Sequence, residues 1–293
     1  MDGVIVADKP GGMTSHDVVN RVRRLAQTKS VGHLGTLDPL ATGVLPLVIG
    51  KATRLARFFT LGGKTYEALV RFGYSTDTYD SEGDDTSARV SPAVTNADLE
   101  AALVQFRGTF LQTPPLVSAK KIAGVPAYKL ARKKIDVTLA PVEVTVHALD
   151  LLEFESSSVR LRVYCGSGTY IRSIAHQLGA TLGCGAHLEQ LRRTASCGFE
   201  VAQAKTLEQL AELAAAGRLE EALIPAAQLL PEFSCEIVDD LTAGQIRHGR
   251  DFHTSPFRVR ANTRYVKAIS STGELIAIGE ARLPNLYHPM LVL

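Results

Sequence analysis

The chain has 293 residues, 45% of them apolar and 21% charged, with a net charge of +2, 24 glycines and 13 prolines. This is the composition of a packed globular protein, so disorder, fibrous repeats and low complexity are excluded, and the mild charge does not by itself indicate a nucleic-acid partner. Its length suits one large domain with a small one, or two of ordinary size.

Chain order gives the following elements. A strand candidate over 4–7 is followed by DKPGGMTS, whose Pro10, Gly11 and Gly12 mark a turn. Thr14 and Asp17 have the spacing of a capping box, and Val18, Val19, Val22, Leu25 and Ala26 recur at helical spacing. Residues 31–43 carry neither periodicity and are expected to form a long loop, a feature that often serves function. A strand over 44–49, a helix over 53–59 and a strand over 64–72 follow, with Tyr66, Ala68, Val70 and Phe72 on one face of the last. Five acidic residues between Asp77 and Asp85 predict a solvated loop, and Thr95 with Asp98 caps a helix running through Phe106. Residues 116–135 are basic, strands are expected over 142–154 and 159–164, and GSGTYIRSIAHQLG leads a Gly-rich turn into a helix. Helices are expected near 207–215 and 220–229. A composition shift near 231 marks a small β-rich C-terminal module.

Several chemistries lose support by inspection. Gly63, Lys64 and Thr65 resemble the end of a phosphate-binding loop, but Phe58 stands where its first glycine belongs. No H-E-x-x-H pair, complete dinucleotide fingerprint or G-x-S-x-G elbow occurs. Cys165, Cys184, Cys197 and Cys235 lack metal or disulfide spacing and read as reduced thiols. No apolar stretch is long enough to cross a bilayer, and the N-terminal segment lacks a basic region before its apolar run, so a cytoplasmic protein is expected. Asp38, between Leu37 and Pro39 in an otherwise uncharged loop, is either a turn former or a carboxylate presented on a rigid turn. His33 is likewise either a packing residue or a functional one.

Taken together, DKPGGMTS, GHLGTLDPLATG, KTYEALVRFG, GTYIRSIAHQLG and HLEQLRRTASCGF, in that order over residues 8–199, resemble the bacterial TruB family of tRNA pseudouridine synthases. LTAGQIRHGR resembles the entry to that family's PUA-like module. The resemblance implies an α+β pseudouridine synthase fold, with a largely antiparallel mixed sheet flanked by helices. It places the catalytic domain at 1–230, with an RNA-gripping thumb at about 114–140, and a PUA-like β-barrel module at 231–293. It makes Asp38 the catalytic aspartate and Tyr66 the aromatic that stacks on the target base and serves in proton transfer. Tyr170, Arg172 and Leu191 line the pocket, with Arg172 paired to Asp38. His33 fills the space left by a flipped nucleotide, and Lys9 supports the active-site loop. Lys120, Lys121, Lys129 and Arg132 are expected to grip RNA phosphates, although Val125 and Pro126 depart from the family's usual basic thumb tip. Arg192 and Arg193 are further expected phosphate contacts. The implied reaction is uridine to pseudouridine at position 55 of the tRNA T-loop, by a monomer with no cofactor, metal or obligatory protein partner. Its competitors are a non-catalytic tRNA-binding or folding factor and a guide-RNA-dependent synthase, the latter disfavoured by the thumb segment.

Overall fold

A computed structural model describes residues 1–117, 121–122, 125–126, 139–259 and 263–293. Strand β1 (Gly3–Lys9) leads through a glycine turn into helix α1 (Ser15–Leu25), whose Thr14 and Asp17 form the expected capping box. Strands β2 (Val31–His33) and β3 (Thr42–Ile49) enclose the loop 34–41. The expected loop thus begins with a short strand, because Val31, Gly32 and His33 pair with β3. A 3-10 segment over Gly50–Phe58 replaces the helix expected at 53–59 and leads to β4 (Lys64–Phe72), whose alternating burial puts Tyr66, Ala68, Val70 and Phe72 inward.

Helix α2 (Asn96–Leu103) carries its own Thr95–Asp98 capping box. It precedes β5 (Gly108–Gln112), the short pair β6 (Lys121–Ile122) and β7 (Val125–Pro126), then β8 (Val142–Glu155) and β9 (Ser158–Cys165). Helix α3 (Ile171–Thr181) follows the Gly-rich turn, and β10 (Ala186–Ser196) returns through the middle of the sheet. After β11 (Phe199–Glu200) come α4 (Leu207–Ala215) and β12 (Leu223–Pro225). The helix expected at 220–229 is absent: two 3-10 turns, Leu219–Ala222 and Ala226–Gln228, flank β12 instead. Pro225 accounts for this, since it lacks an N–H and drives the preceding residue to extended backbone.

The main sheet runs β12-β1-β3-β10-β4-β9-β8-β5, with β2 on β3 and β11 on β10. Its pairings are antiparallel except at β3–β10, where only Arg192↔Thr42 and Arg193↔Gly43 are in register. Two antiparallel blocks therefore meet at a seam of two residue pairs. Gly43 is essential there: its φ is +101°, and a Cβ would lie 2.2 Å from the Arg193 carbonyl oxygen.

Alternation in β1 and β3 divides the core. Ile5, Ala7, Leu45 and Leu47 face Val18, Val19 and Val22 of α1 and a cluster that includes Leu103, Leu178 and Leu210 from α2, α3 and α4. Each fully buried aliphatic side chain of this kind contributes roughly 1.5–3 kcal/mol. Val4, Val6, Val44 and Val48 pack on the other side with Leu55 and Phe199 and with Leu275, Ile278 and Leu291. The last three belong to a second, five-stranded sheet built from β13 (Ser234–Val238), β14 (Phe252–His253), β15 (Tyr265–Ser270), β16 (Leu275–Leu283) and β17 (Leu286–Val292). Its order is β13-β15-β16-β17-β14, and α5 (Asp240–Arg247), capped by Asp239, covers it. The architecture is α+β. The four cysteines are unpaired, and no helix among the described residues is long and apolar enough to cross a membrane.

Candidate active site

The loop 34–41 lies at the seam between the two blocks, and side chains from three distant segments fix its backbone. Ser15, at the start of α1, donates its hydroxyl to the Leu37 carbonyl (3.0 Å) and accepts from the Leu37 N–H (2.8 Å). Lys9, at the end of β1 and wholly buried, donates to the carbonyls of Pro10 (2.8 Å), Pro39 (3.1 Å) and Ala41 (2.6 Å). Arg193 of β10, also fully buried, donates to Val44 (2.8 Å), Thr36 (3.3 Å) and Gly35 (3.0 Å). Carbonyls on both sides of Asp38 are thereby satisfied, as buried backbone requires, and Leu37 and Ala41 anchor the loop in the core.

Asp38 projects from this frame towards α3. Its Oδ2 lies 3.0 Å from Nε of Arg172, whose side chain is 3% exposed against 35% for Asp38. The contact is an ion pair rather than an aligned hydrogen bond, because the buried Nε–H does not point at an acceptor. Arg172 is held from behind by three groups: its Nη1 donates to the Thr78 carbonyl (3.0 Å), its Nη2 donates to the Val117 carbonyl (2.9 Å), and Nη1 lies 3.3 Å from Oδ2 of Asp80.

Asp80 corrects the expectation of a solvated acidic loop at 77–85. It is buried, and its Oδ1 accepts from the Thr78 hydroxyl (2.6 Å) and the Glu82 N–H (3.1 Å). Tyr79 beside it adopts a φ of 65° and stacks on His176, one turn beyond Arg172 on α3, with ring centroids 3.8 Å apart. The loop is thus clamped to the helix that carries the arginine.

A cleft of about 260 Å³ opens over Asp38, and Tyr66, Tyr170, Arg172 and Leu191 line it with Lys64. Tyr66 and Leu191 are both buried, on the adjacent antiparallel strands β4 and β10. Tyr170 is the residue before α3, and Gln112 fixes its backbone by accepting from its N–H (2.8 Å) and donating to its carbonyl (3.0 Å). Burial pushes the Tyr66 hydroxyl up to about 12, and the positive charge of Arg193 beside it pulls the other way. Tyr66 therefore remains protonated near neutral pH. Burial also raises Asp38 above its ordinary value; Arg172 opposes this, and the neighbouring Asp80 adds to it. Lys9 is lowered to about 8, mainly by burial.

Five of the expected residues, Asp38, Tyr66, Tyr170, Arg172 and Leu191, thus share one cleft. Lys9 lies beneath the loop. His33, at the end of β2, flanks the start of the loop, where its Nδ1 accepts from the Gly35 N–H (3.3 Å). Lys121 falls on β6, while Lys120, Lys129 and Arg132 lie outside the described residues. The expectation for Arg193 is overturned, since it is buried beneath the loop and cannot meet a phosphate. Arg192 makes a two-pronged contact with Asp8 (3.1 and 2.8 Å). Ser15 and Asp80 escaped the sequence reading as site residues, although each stands inside a motif or acidic run it singled out, and Arg193 was assigned to RNA phosphates instead of to the loop. Among the described residues no group of His, Cys, Asp and Glu is arranged to hold a metal ion.

A carboxylate directed into a cleft, paired with a rigid arginine and faced by an aromatic on a strand, can stabilise positive charge on a planar ring substrate. Comparison with known proteins identifies the family. Residues 23–171 match the model of the TruB family pseudouridylate synthase N-terminal domain, and 172–231 match that of the tRNA pseudouridylate synthase B C-terminal domain. The chain is 61% identical to tRNA pseudouridine synthase B of Solibacter usitatus over 293 residues, all of both chains. It is 40% identical to the protein of that name from Dechloromonas aromatica, covering 99% of this chain and 94% of that one. Among solved structures, it resembles a chain of an H/ACA RNP bound to a substrate RNA containing 2′-deoxyuridine (TM-score 0.71, 25% identity, 99% of this chain and 84% of that one). It also resembles a chain of a Cbf5-Nop10-Gar1 complex (TM-score 0.71, 28% identity, 98% and 83%). These matches, over the segments that build the seam and its cleft, place the chain in the TruB family of pseudouridylate synthases.

Proposed function

We propose that this chain converts uridine to pseudouridine in the T-loop of tRNA, at position 55 of standard tRNA numbering. The observation that carries this reading is the Asp38 carboxylate, held on a backbone fixed by Ser15, Lys9 and Arg193 and paired with Arg172 at 3.0 Å inside a cleft.

The reaction breaks the N1–C1′ bond, turns the uracil and joins C5 to C1′; the C5 proton is lost and N1 gains one, so no atom or electron is exchanged overall. Positive charge develops at C1′ as the first bond lengthens, and Asp38 supplies the balancing negative charge. Arg172 favours the ionised form of Asp38 against the cost of burial and sets its direction. Tyr66 supplies a stacking face and, being protonated, a hydrogen to donate towards the turning base. Tyr170 and Leu191 close the walls. His33, close to the loop but outside the cleft lining, fills the position that the base vacates.

Residues 1–230 then form the catalytic domain with its thumb at about 114–140, and 231–293 a PUA-like RNA-binding module. The chain acts alone in the cytoplasm as a monomer, without a guide RNA. Identity of 61% over the full length to a tRNA pseudouridine synthase B, against 28% to the Cbf5 chain, supports the stand-alone reading over the guide-dependent one. The Asp38–Arg172–Asp80 arrangement, with Arg172 and Asp80 buried behind a partly exposed Asp38, supports an enzyme over a folding factor, which gains nothing from carboxylates beside phosphates. The test is to incubate the purified chain with an unmodified tRNA transcript and map pseudouridine. Conversion of one T-loop uridine is expected; binding without product would favour the folding factor, and product only with an added guide would favour the guide-dependent enzyme.

A further inference from the structure

The buried cations of this molecule are well supplied with acceptors. Lys9 and Arg193 each donate to three carbonyls, Lys267 donates to the carbonyls of Ala227 and Leu229, and Arg172 has two carboxylates and two carbonyls. Lys64 is different. It is the first residue of β4, half-buried at the rim of the Asp38 cleft. Its stem lies against Gly35, where a Cβ would stand 3.2 Å from Lys64 Cε and 3.6 Å from Arg193 Nη1. Its ammonium reaches across to the turn before α3 and donates to the Ser167 hydroxyl at 2.8 Å. That hydroxyl in turn donates to the Gly62 carbonyl at 3.3 Å.

Among the described residues one neutral acceptor serves an ammonium with three hydrogens. Among the described residues no carboxylate stands within ion-pair distance of Lys64, and the groups that influence it are Arg193 and the thiols of Cys165 and Cys197. Burial is the main influence against its charge; Arg193 adds to it, while Cys197 and Cys165 act the other way. A partly desolvated cation beside a second cation, spanning the two turns that border a cleft, is a site prepared for an anion.

We infer that Lys64 and the Ser167 hydroxyl bind a phosphodiester immediately flanking the uridine that enters the Asp38 cleft. This rests on the RNA-modification reading above and adds a substrate contact to it. The contact grips the backbone at the point where it must hold the nucleotide out of its stack, so it acts on the extruded substrate rather than on distant RNA.

The test is a cycle between protein and substrate. A synthetic T-stem-loop RNA is made with a neutral methylphosphonate at the linkage 5′ or 3′ of the target uridine, and each RNA is assayed with wild type, Lys64→Gln and Lys64→Arg. Lys64→Gln is expected to lower kcat/KM by about tenfold to a hundredfold on the all-phosphodiester RNA, the size of one charge-assisted hydrogen bond, and Lys64→Arg to restore most of it. At one of the two linkages the methylphosphonate should cost wild type a similar factor and cost Lys64→Gln nothing more. Unchanged kcat/KM in Lys64→Gln, or losses that multiply at both linkages, would overturn the assignment. The same cycle read by binding titration tests Lys64 even where no pseudouridine forms, whereas turnover by wild type tests the underlying reading separately. Equal melting temperatures of the variants exclude misfolding as the cause.

Discussion

Replacing Arg193 with Met removes a fully buried support of the loop that carries Asp38 while keeping an apolar stem of similar length. Three carbonyls, those of Gly35, Thr36 and Val44, lose their donor. An unsatisfied buried acceptor costs about 1–3 kcal/mol. The Thr36 contact at 3.3 Å is the weakest, so the sum falls at about 3–6 kcal/mol. For a chain of this size that corresponds to a fall in Tm of roughly 6–20 °C. The freed loop also carries Asp38, and a misplacement on the order of 1 Å costs a reaction about a hundredfold. Arg193→Met is therefore expected to melt well below wild type and to lose kcat on tRNA, with KM and the salt dependence of binding unchanged. Arg193→Lys, able to reach some but not all of the carbonyls, should fall between the two. A surface arginine that meets phosphates would behave in the opposite way: full thermal stability, near-normal kcat and a salt slope shallower by somewhat under one unit. That second pattern would refute the role assigned here.

Gly43→Ala puts a Cβ 2.2 Å from the Arg193 carbonyl at a φ of +101°, so the seam must open; a loss of about 4 kcal/mol or more is expected, read as a collapse in soluble yield or Tm, and a wild-type melt would contradict it. Asp38→Asn tests the cost of partly desolvating the Asp38 carboxylate. Because burial raises Asp38 above 3.8, the native state keeps its proton at pH values where the unfolded chain has lost it. The stability this supplies is full below about 3.8 and is lost as pH climbs through the raised native value. Asn imitates the protonated form, so the variant should melt above wild type at pH 7, with the difference closing as pH falls towards 3.8. Neutralising Lys120, Lys121, Lys129 and Arg132 together should weaken tRNA binding and reduce its salt slope by up to about 0.9 per lost phosphate contact; an unchanged slope would remove the thumb from the interface.

The parts of this site that were legible in the sequence are those whose signal is local. Asp38 stands out as the one charge in a glycine and proline loop, and β4 reads directly from alternation, which places Tyr66 inward. Arg172 follows a Gly-rich turn at a helix start. Arg193 resisted because β10 does not alternate cleanly: a register shift between Leu188 and Gln190 puts Leu188, Leu191 and Arg193 all inside, and a second between Arg193 and Ala195 brings Ser196 inside as well. Two adjacent arginines with opposite fates are indistinguishable before those bulges are known. Asp80 was hidden by its acidic neighbours, since its burial depends on Arg172, 92 positions away. The lost helix at 220–229 shows the reverse case, where a residue in plain view, Pro225, outweighs helical composition.

Asp38 is the centre of this account, and single-turnover conversion of unmodified tRNA by wild type and Asp38→Asn tests it most directly. The two proteins should bind the tRNA alike, because Asn keeps the shape of the side chain and the loop that carries it. Wild type is expected to form pseudouridine at one T-loop uridine on every bound tRNA, and Asp38→Asn none. Appreciable pseudouridine from the Asn variant would contradict the account.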